Sequence, residues 1–117
     1  MLALLLASTL LGGCVLHVGD GGGDRDDRIA RQETRNRDAI SRLALGIAID
    51  DARSQLGEPD FTDAATVAGR EVRILRYRTH RVRADGDTTP DETTPLIFTA
   101  GVLTGIGEHA ARAALNP

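Results

Sequence analysis

The run Leu56-Gly57-Glu58-Pro59 does more than any other stretch to limit what this chain can fold into. Glycine just after the last apolar position of a helical pattern takes a left-handed backbone at little cost, and a proline two residues on cannot extend the hydrogen-bond ladder. A helix must therefore stop here. Upstream, Ile49, Ala52 and Leu56 recur at helical spacing, which predicts a short helix over residues 49–56 with one side facing inward. Asp50 and Asp51 fall in its first turn, where carboxylates complement the helix dipole. Adjacent helical side chains point about 100° apart, so these two do not read as a catalytic pair.

Beyond Pro59 the propensities change to strand. Residues 61–67 form a weak strand candidate closed by a turn at Ala68-Gly69, and residues 71–82 form the strongest one. Alternation puts Leu75, Tyr77 and Thr79 on one face of that strand and Val72, Ile74, Arg76 and Arg78 on the other. Residues 96–100 and 102–106 make a hairpin around Ala100-Gly101, and residues 108–115 a terminal helix. Before the central stop, residues 28–43 read as a helix whose large apolar positions are Ile29, Ile40 and Leu43. Its first half, with Arg31, Glu33, Arg35 and Arg37, is expected to be exposed, leaving Ile40 and Leu43 as the docked residues. The expected fold is α+β: two short helices packed on one face of a three- to four-stranded antiparallel sheet, with a short C-terminal helix.

A chain of 117 residues supports one small domain with one core. That core must be aliphatic, because the chain has no tryptophan, one tyrosine and two phenylalanines. So little aromatic surface disfavours a module that stacks bases or sugars, and a net charge of -3 gives no bulk attraction to nucleic acid. All 14 basic residues are arginine, so lysine chemistry is excluded.

The amino terminus has its own logic. Residues 2–11 are apolar or small without interruption, and Leu11-Gly12-Gly13-Cys14 follows. An apolar run this short, ending in small residues, has the form of a secretory signal. The leucine, two glycines and single cysteine resemble the lipobox of bacterial lipoproteins. That resemblance implies cleavage before Cys14, a thioether-linked diacylglycerol on its sulfur plus an amide-linked palmitate-type chain, and a stable membrane anchor. Val15 after the cysteine, rather than aspartate, implies outer-membrane sorting. Residues 19–27 contain four glycines and four aspartates with no apolar side chain, which reads as a hydrated spacer. The expected organisation is therefore a signal peptide over 1–13, a lipidated tether over 14–27 and a single α+β domain over 28–117, the alternative for the amino terminus being an uncleaved anchor over residues 1–18.

Two clusters carry chemistry worth testing. Asp85, Asp87, Asp91 and Glu92 form an acidic loop with Thr88 and Thr89 between them. Its spacing is not that of an EF-hand, and turn formers dominate it, so a plain loop is the main reading and calcium the alternative. Arg76, Arg78, His80 and Arg81 form a basic strand face, which beside the acidic loop reads as an internally paired surface, with an acidic protein patch or anionic headgroups as the alternative partner. His17, His80 and His109 lack metal-ligand spacing, and no serine lies in a nucleophile elbow. No catalytic residue, metal ligand or cofactor is expected.

The order of features resembles a known family. Leu45-Gly46, Leu56-Gly57-Glu58-Pro59, Tyr77-Arg78-Thr79, Asp85-Gly86, Thr88-Thr89, Asp91-Glu92, Thr94-Pro95-Leu96 and Gly101-Val102-Leu103 are similar to a family of small Gram-negative lipoproteins classed as a domain of unknown function. A broader similarity joins it to the SmpA/OmlA (BamE) lipoproteins, which share a lipobox, two helices and a three-stranded antiparallel sheet. Ala48 departs from the usual Ser or Thr cap before the second helix. The resemblance implies a non-enzymatic, lipid-anchored outer-membrane protein facing the periplasm, which binds another envelope protein or assists assembly. The alternative is a small-ligand or calcium-binding periplasmic lipoprotein that uses the 85–92 loop.

Overall fold

The computed structural model describes residues 22–117. The expected signal peptide, Cys14 and the first part of the expected spacer lie outside the described residues. Three helices and four strands follow in the order α1 (Gly22–Ser41), α2 (Ile49–Leu56), β1 (Phe61–Val67), β2 (Arg70–Arg78), a 3-10 turn (Pro90–Glu92), β3 (Thr93–Thr99), β4 (Val102–Ile106) and α3 (Glu108–Leu115). The strands form one antiparallel sheet in the order β1-β2-β3-β4. This is the expected α+β fold, and α2, β1, β4 and α3 occupy their expected spans.

Both hairpins turn in two residues, between Val67 and Arg70 and between Thr99 and Val102. Such turns need positive φ at both positions to match the twist of the strands. Ala68 (51°), Gly69 (78°), Ala100 (49°) and Gly101 (83°) supply it, the alanines at a steric cost that glycine avoids. Pro95 sits in a central strand, normally a poor place for it. Its carbonyl accepts Gly107 N–H at 2.9 Å, so the missing N–H points toward the same side, where β4 has ended. Gly107 there gives its own carbonyl to Ala111 in α3, and no ladder bond is lost.

The sheet buries both faces. Leu75, Tyr77, Leu96, Phe98 and Leu103 pack with Ile40 of α1 and Ala52 of α2 on one side. Val72, Ile74 and Ile97 pack with Ala111 of α3 on the other, so the terminal helix covers the face opposite the first two. The contact there is close: a Cβ added at Gly105 would stand 2.8 Å from Ala110 Cβ. Tyr77 is buried and donates its hydroxyl to Gly57 O at 2.9 Å, tying the helix stop to the core. Burial pushes this phenol up to about 12.

Three boundaries differ from the sequence reading, each for a tertiary reason. The first helix begins at Gly22 rather than Arg28 and runs for 20 residues. Asp26 lies 3.7 Å from Arg81, and Arg25 lies over Gly86, so its opening turns rest on the loop after β2. The strand over 71–82 ends at Arg78, because Asn36 and Arg37 of α1 take the Arg78 and Thr79 carbonyls at 2.8 and 2.6 Å. The third strand starts at Thr93, three residues before the expected Leu96. At α2, the absent Ser/Thr cap is replaced by main chain: Ile49 N–H reaches Gly101 O at 3.0 Å, and Ala48 bridges Val102.

Candidate functional site

The densest polar constellation among the described residues lies where β2, the loop over 79–91 and α1 meet. Arg78 is its centre. The side chain is 1 % exposed, although alternation and charge alone place an arginine at this position in solvent. Its Nη1 donates to the Asp87 carbonyl and the Thr88 hydroxyl, each at 2.9 Å, with Glu92 Oε1 at 3.3 Å. Nη2 donates to Glu92 Oε2 at 3.1 Å. Glu33 of α1 brings a second carboxylate within 4.0 Å of Nε, and that nitrogen is buried without a hydrogen-bond partner.

Glu92 completes the arrangement from the opposite side. It is fully buried, and its carboxylate accepts the backbone N–H groups of Val82 (3.0 Å), Thr89 (3.1 Å) and Arg83 (3.3 Å). These hydrogen bonds, led by the one from Val82, hold its carboxyl down to about 2 against the cost of burial. One residue therefore pins both arms of the loop. Asp60 fixes the same strand end by accepting Arg78 N–H at 2.8 Å. Breaking such a pair leaves a desolvated charge behind, so its value lies in fixing one loop shape rather than in net attraction.

The expected basic face is not one surface. Arg78 is inside, which corrects its placement in a contact patch, and Arg76 pairs with Glu108 of α3 at 2.6 Å. That guanidinium keeps the Glu108 carboxyl below its ordinary value. His80 and Arg81 are exposed on the loop, with the His80 ring between Thr79 Oγ1 (3.0 Å) and Asp91 O (2.6 Å). The acidic loop is likewise divided. Asp85, Asp87 and Asp91 are exposed, whereas Glu92 is already committed to backbone donors and Arg78 and cannot face a cation. Asp85 accepts Asp87 N–H at 3.0 Å, the local bond of a turn former. Among the described residues, no group of three or more His, Cys, Asp or Glu is placed to hold a metal ion, and no helix is long and apolar enough to cross a membrane.

Sequence reasoning missed Glu33 and Asn36, 6 % and 2 % exposed on the half of α1 expected to be solvated. A signal existed. Positions 29, 33, 36, 40 and 43 alternate steps of four and three, the spacing of a docked helix stripe, but two members are polar and so escape a search for apolar residues. The side of α1 away from this stripe bears a shallow depression of about 820 Å³ lined by Asp27, Arg31, Arg35, Asp38 and Arg42. Charges of both signs are mixed along the helix there, as on a solvated face.

Against known families, the match is to one described as "Protein of unknown function (DUF3192)", over residues 12–113. No curated protein and no solved structure matches the chain.

Proposed function

The chain belongs to the DUF3192 family, whose description carries no activity, and from that premise we propose that it is a lipid-anchored outer-membrane protein that binds another envelope protein. In this reading the chain is a non-enzymatic assembly accessory with a fold akin to the SmpA/OmlA (BamE) lipoproteins. The observation that carries it is the loop over 79–91. A long connection without regular structure is usually loose or functional. Here a buried arginine and a buried glutamate are spent on holding it in one shape, while α1 braces it from outside.

What the loop displays supports recognition rather than chemistry. Val82 stands 51 % exposed between Arg81 and Arg83, whose guanidinium groups lie 3.7 Å from Asp26 and 3.8 Å from Asp91, so the apolar tip has a rim of paired charges, with His80 alongside. A rim carrying both signs of charge orients a partner of matching polarity, while the apolar tip supplies contact area. A rigid loop binds without an ordering cost at the moment of contact. The anchor reading rests on Leu11-Gly12-Gly13-Cys14.

The test is site-specific photocrosslinking in intact envelopes. A photoreactive residue at Val82 is expected to give an adduct with a different envelope protein, and one at Ala113 on α3 none. Recovery of only uncrosslinked chain from the Val82 probe would sink the reading. Metabolic palmitate labelling that persists in Cys14→Ser would overturn the anchor.

A further inference from the structure

The two edges of the sheet are treated differently. Along β4, the segment Gly46–Ile49 supplies Gly46 N–H to Leu103 O (2.7 Å), Ile47 O to Leu103 N–H (2.8 Å) and Ile49 N–H to Gly101 O (3.0 Å), so that edge is covered. Along β1 nothing among the described residues pairs with the outer side. The strand is bare on its faces as well. Thr62, Asp63, Ala64, Ala65 and Thr66 are all exposed, because the helices pack over β2, β3 and β4. An uncovered seven-residue edge is a template for strand addition, and it carries neither proline, bulge nor lysine, with Asp63 its one charged residue.

We propose that β1 is a homodimer interface, pairing antiparallel with β1 of a second copy to make one continuous eight-stranded sheet. The sequence Phe61-Thr-Asp-Ala-Ala-Thr-Val67 fits its own reverse. With the two-fold axis at Ala64, all seven residues pair: Phe61 meets Val67, Thr62 meets Thr66, Asp63 meets Ala65 and Ala64 meets itself. Aromatic with β-branched and threonine with threonine are favourable cross-strand partners. The charges do not oppose the pairing: the one charged side chain of the strand, Asp63, faces Ala65 of the other copy. Asp63 disfavours the register with its axis at residue 63, which sets two aspartates directly opposite each other, and the axis at Ala64 pairs the full length of the strand. Small side chains at 64 and 65 let the backbones approach without obstruction. The inference uses the outer edge of β1, a different surface from the loop over 79–91, and does not rest on the anchor.

The test uses the full chain carrying Cys14→Ser, so that an introduced cysteine is the only thiol. Directly opposed residues of an antiparallel pair stand about 4.5–5.5 Å apart at Cα, within disulfide range, whereas the two copies of residue 65 are diagonal neighbours at about 7–8 Å. Ala64→Cys is therefore expected to oxidise to a covalent dimer at least about ten times faster than Ala65→Cys. Sedimentation of the parent over roughly 10 μM to 1 mM should show a monomer–dimer equilibrium, abolished by Ala64→Asp with unchanged circular dichroism. A parent that stays monomeric across the range overturns the proposal. So do equal crosslinking rates at 64 and 65, or an Ala64→Asp variant that folds normally and still dimerises.

Discussion

Arg76 and Arg78 stand two residues apart on the same strand and both pair with glutamate, yet the structure predicts very different consequences for replacing them with methionine. At Arg78 the guanidinium and its Glu92 partner are each 1 % exposed at the side chain. Arg78→Met keeps comparable volume but strands a buried carboxylate, the Asp87 carbonyl and the Thr88 hydroxyl without their donor. Removing one member of a buried pair costs about 3–5 kcal/mol. Arg76 pairs with a glutamate that is half exposed, where water and salt screen the attraction, and a surface pair is worth about 0–1 kcal/mol. In urea, with a slope near ~2 kcal/mol per molar for a domain this size, Arg78→Met should lower the midpoint by about 1.5–2.5 M and Arg76→Met by less than about 0.5 M. Far-ultraviolet circular dichroism reads both, and adding Glu92→Gln to Arg78→Met should recover part of the loss, because the stranded charge is then gone. Equal losses from the two single variants, or an Arg78→Met midpoint within about 0.3 M of the parent, would refute the claim that burial rather than pairing sets the magnitude.

Three further outcomes are expected. Gly105→Val places carbon against Ala110 at a distance real Cβ contacts do not show, and should lower stability by about 1–3 kcal/mol; an unchanged melting temperature would mean α3 is not seated as described. Ala68→Asn relieves a left-handed alanine in a two-residue turn and should raise stability by about 0.4–1 kcal/mol, whereas no gain in calorimetry would count against strain there. The Glu92 carboxyl, held at about 2 against an ordinary 4.5, releases its proton more readily folded than unfolded. Its stabilisation is therefore complete above pH 4.5 and drains away as pH falls toward about 2, so the gap between parent and Glu92→Gln should narrow over that window. A gap that is constant from pH 7 to 2 contradicts this.

Local signals made much of the fold legible. The Gly57 stop and the Ala-Gly turns act through backbone conformation within a few residues, so they survive without tertiary context. The second layer over the far face was legible in principle, since Val72 and Ile74 are as apolar as Leu75 and Tyr77 on the opposite side, and a strand apolar on both faces needs cover on both. The candidate site was harder. Arg78 and Glu92 have the composition of surface residues, and only the meeting of loop, strand end and helix removes them from water. Glu33 and Asn36 keep the right helical phase but lack the greasiness by which a docked stripe is found.

The end of β2 is set by side chains of another element. Asn36 and Arg37 occupy the two carbonyls past which the ribbon would otherwise run on, so α1 acts as a doorstop for the sheet. Prising that helix away would free those carbonyls and unseat Glu33 and Asp26 together, loosening the loop before any strand had parted. Of the two arginines that flank Val82, only Arg81 is tied to that helix, through Asp26, while Val82 and Arg83 stay held by Glu92.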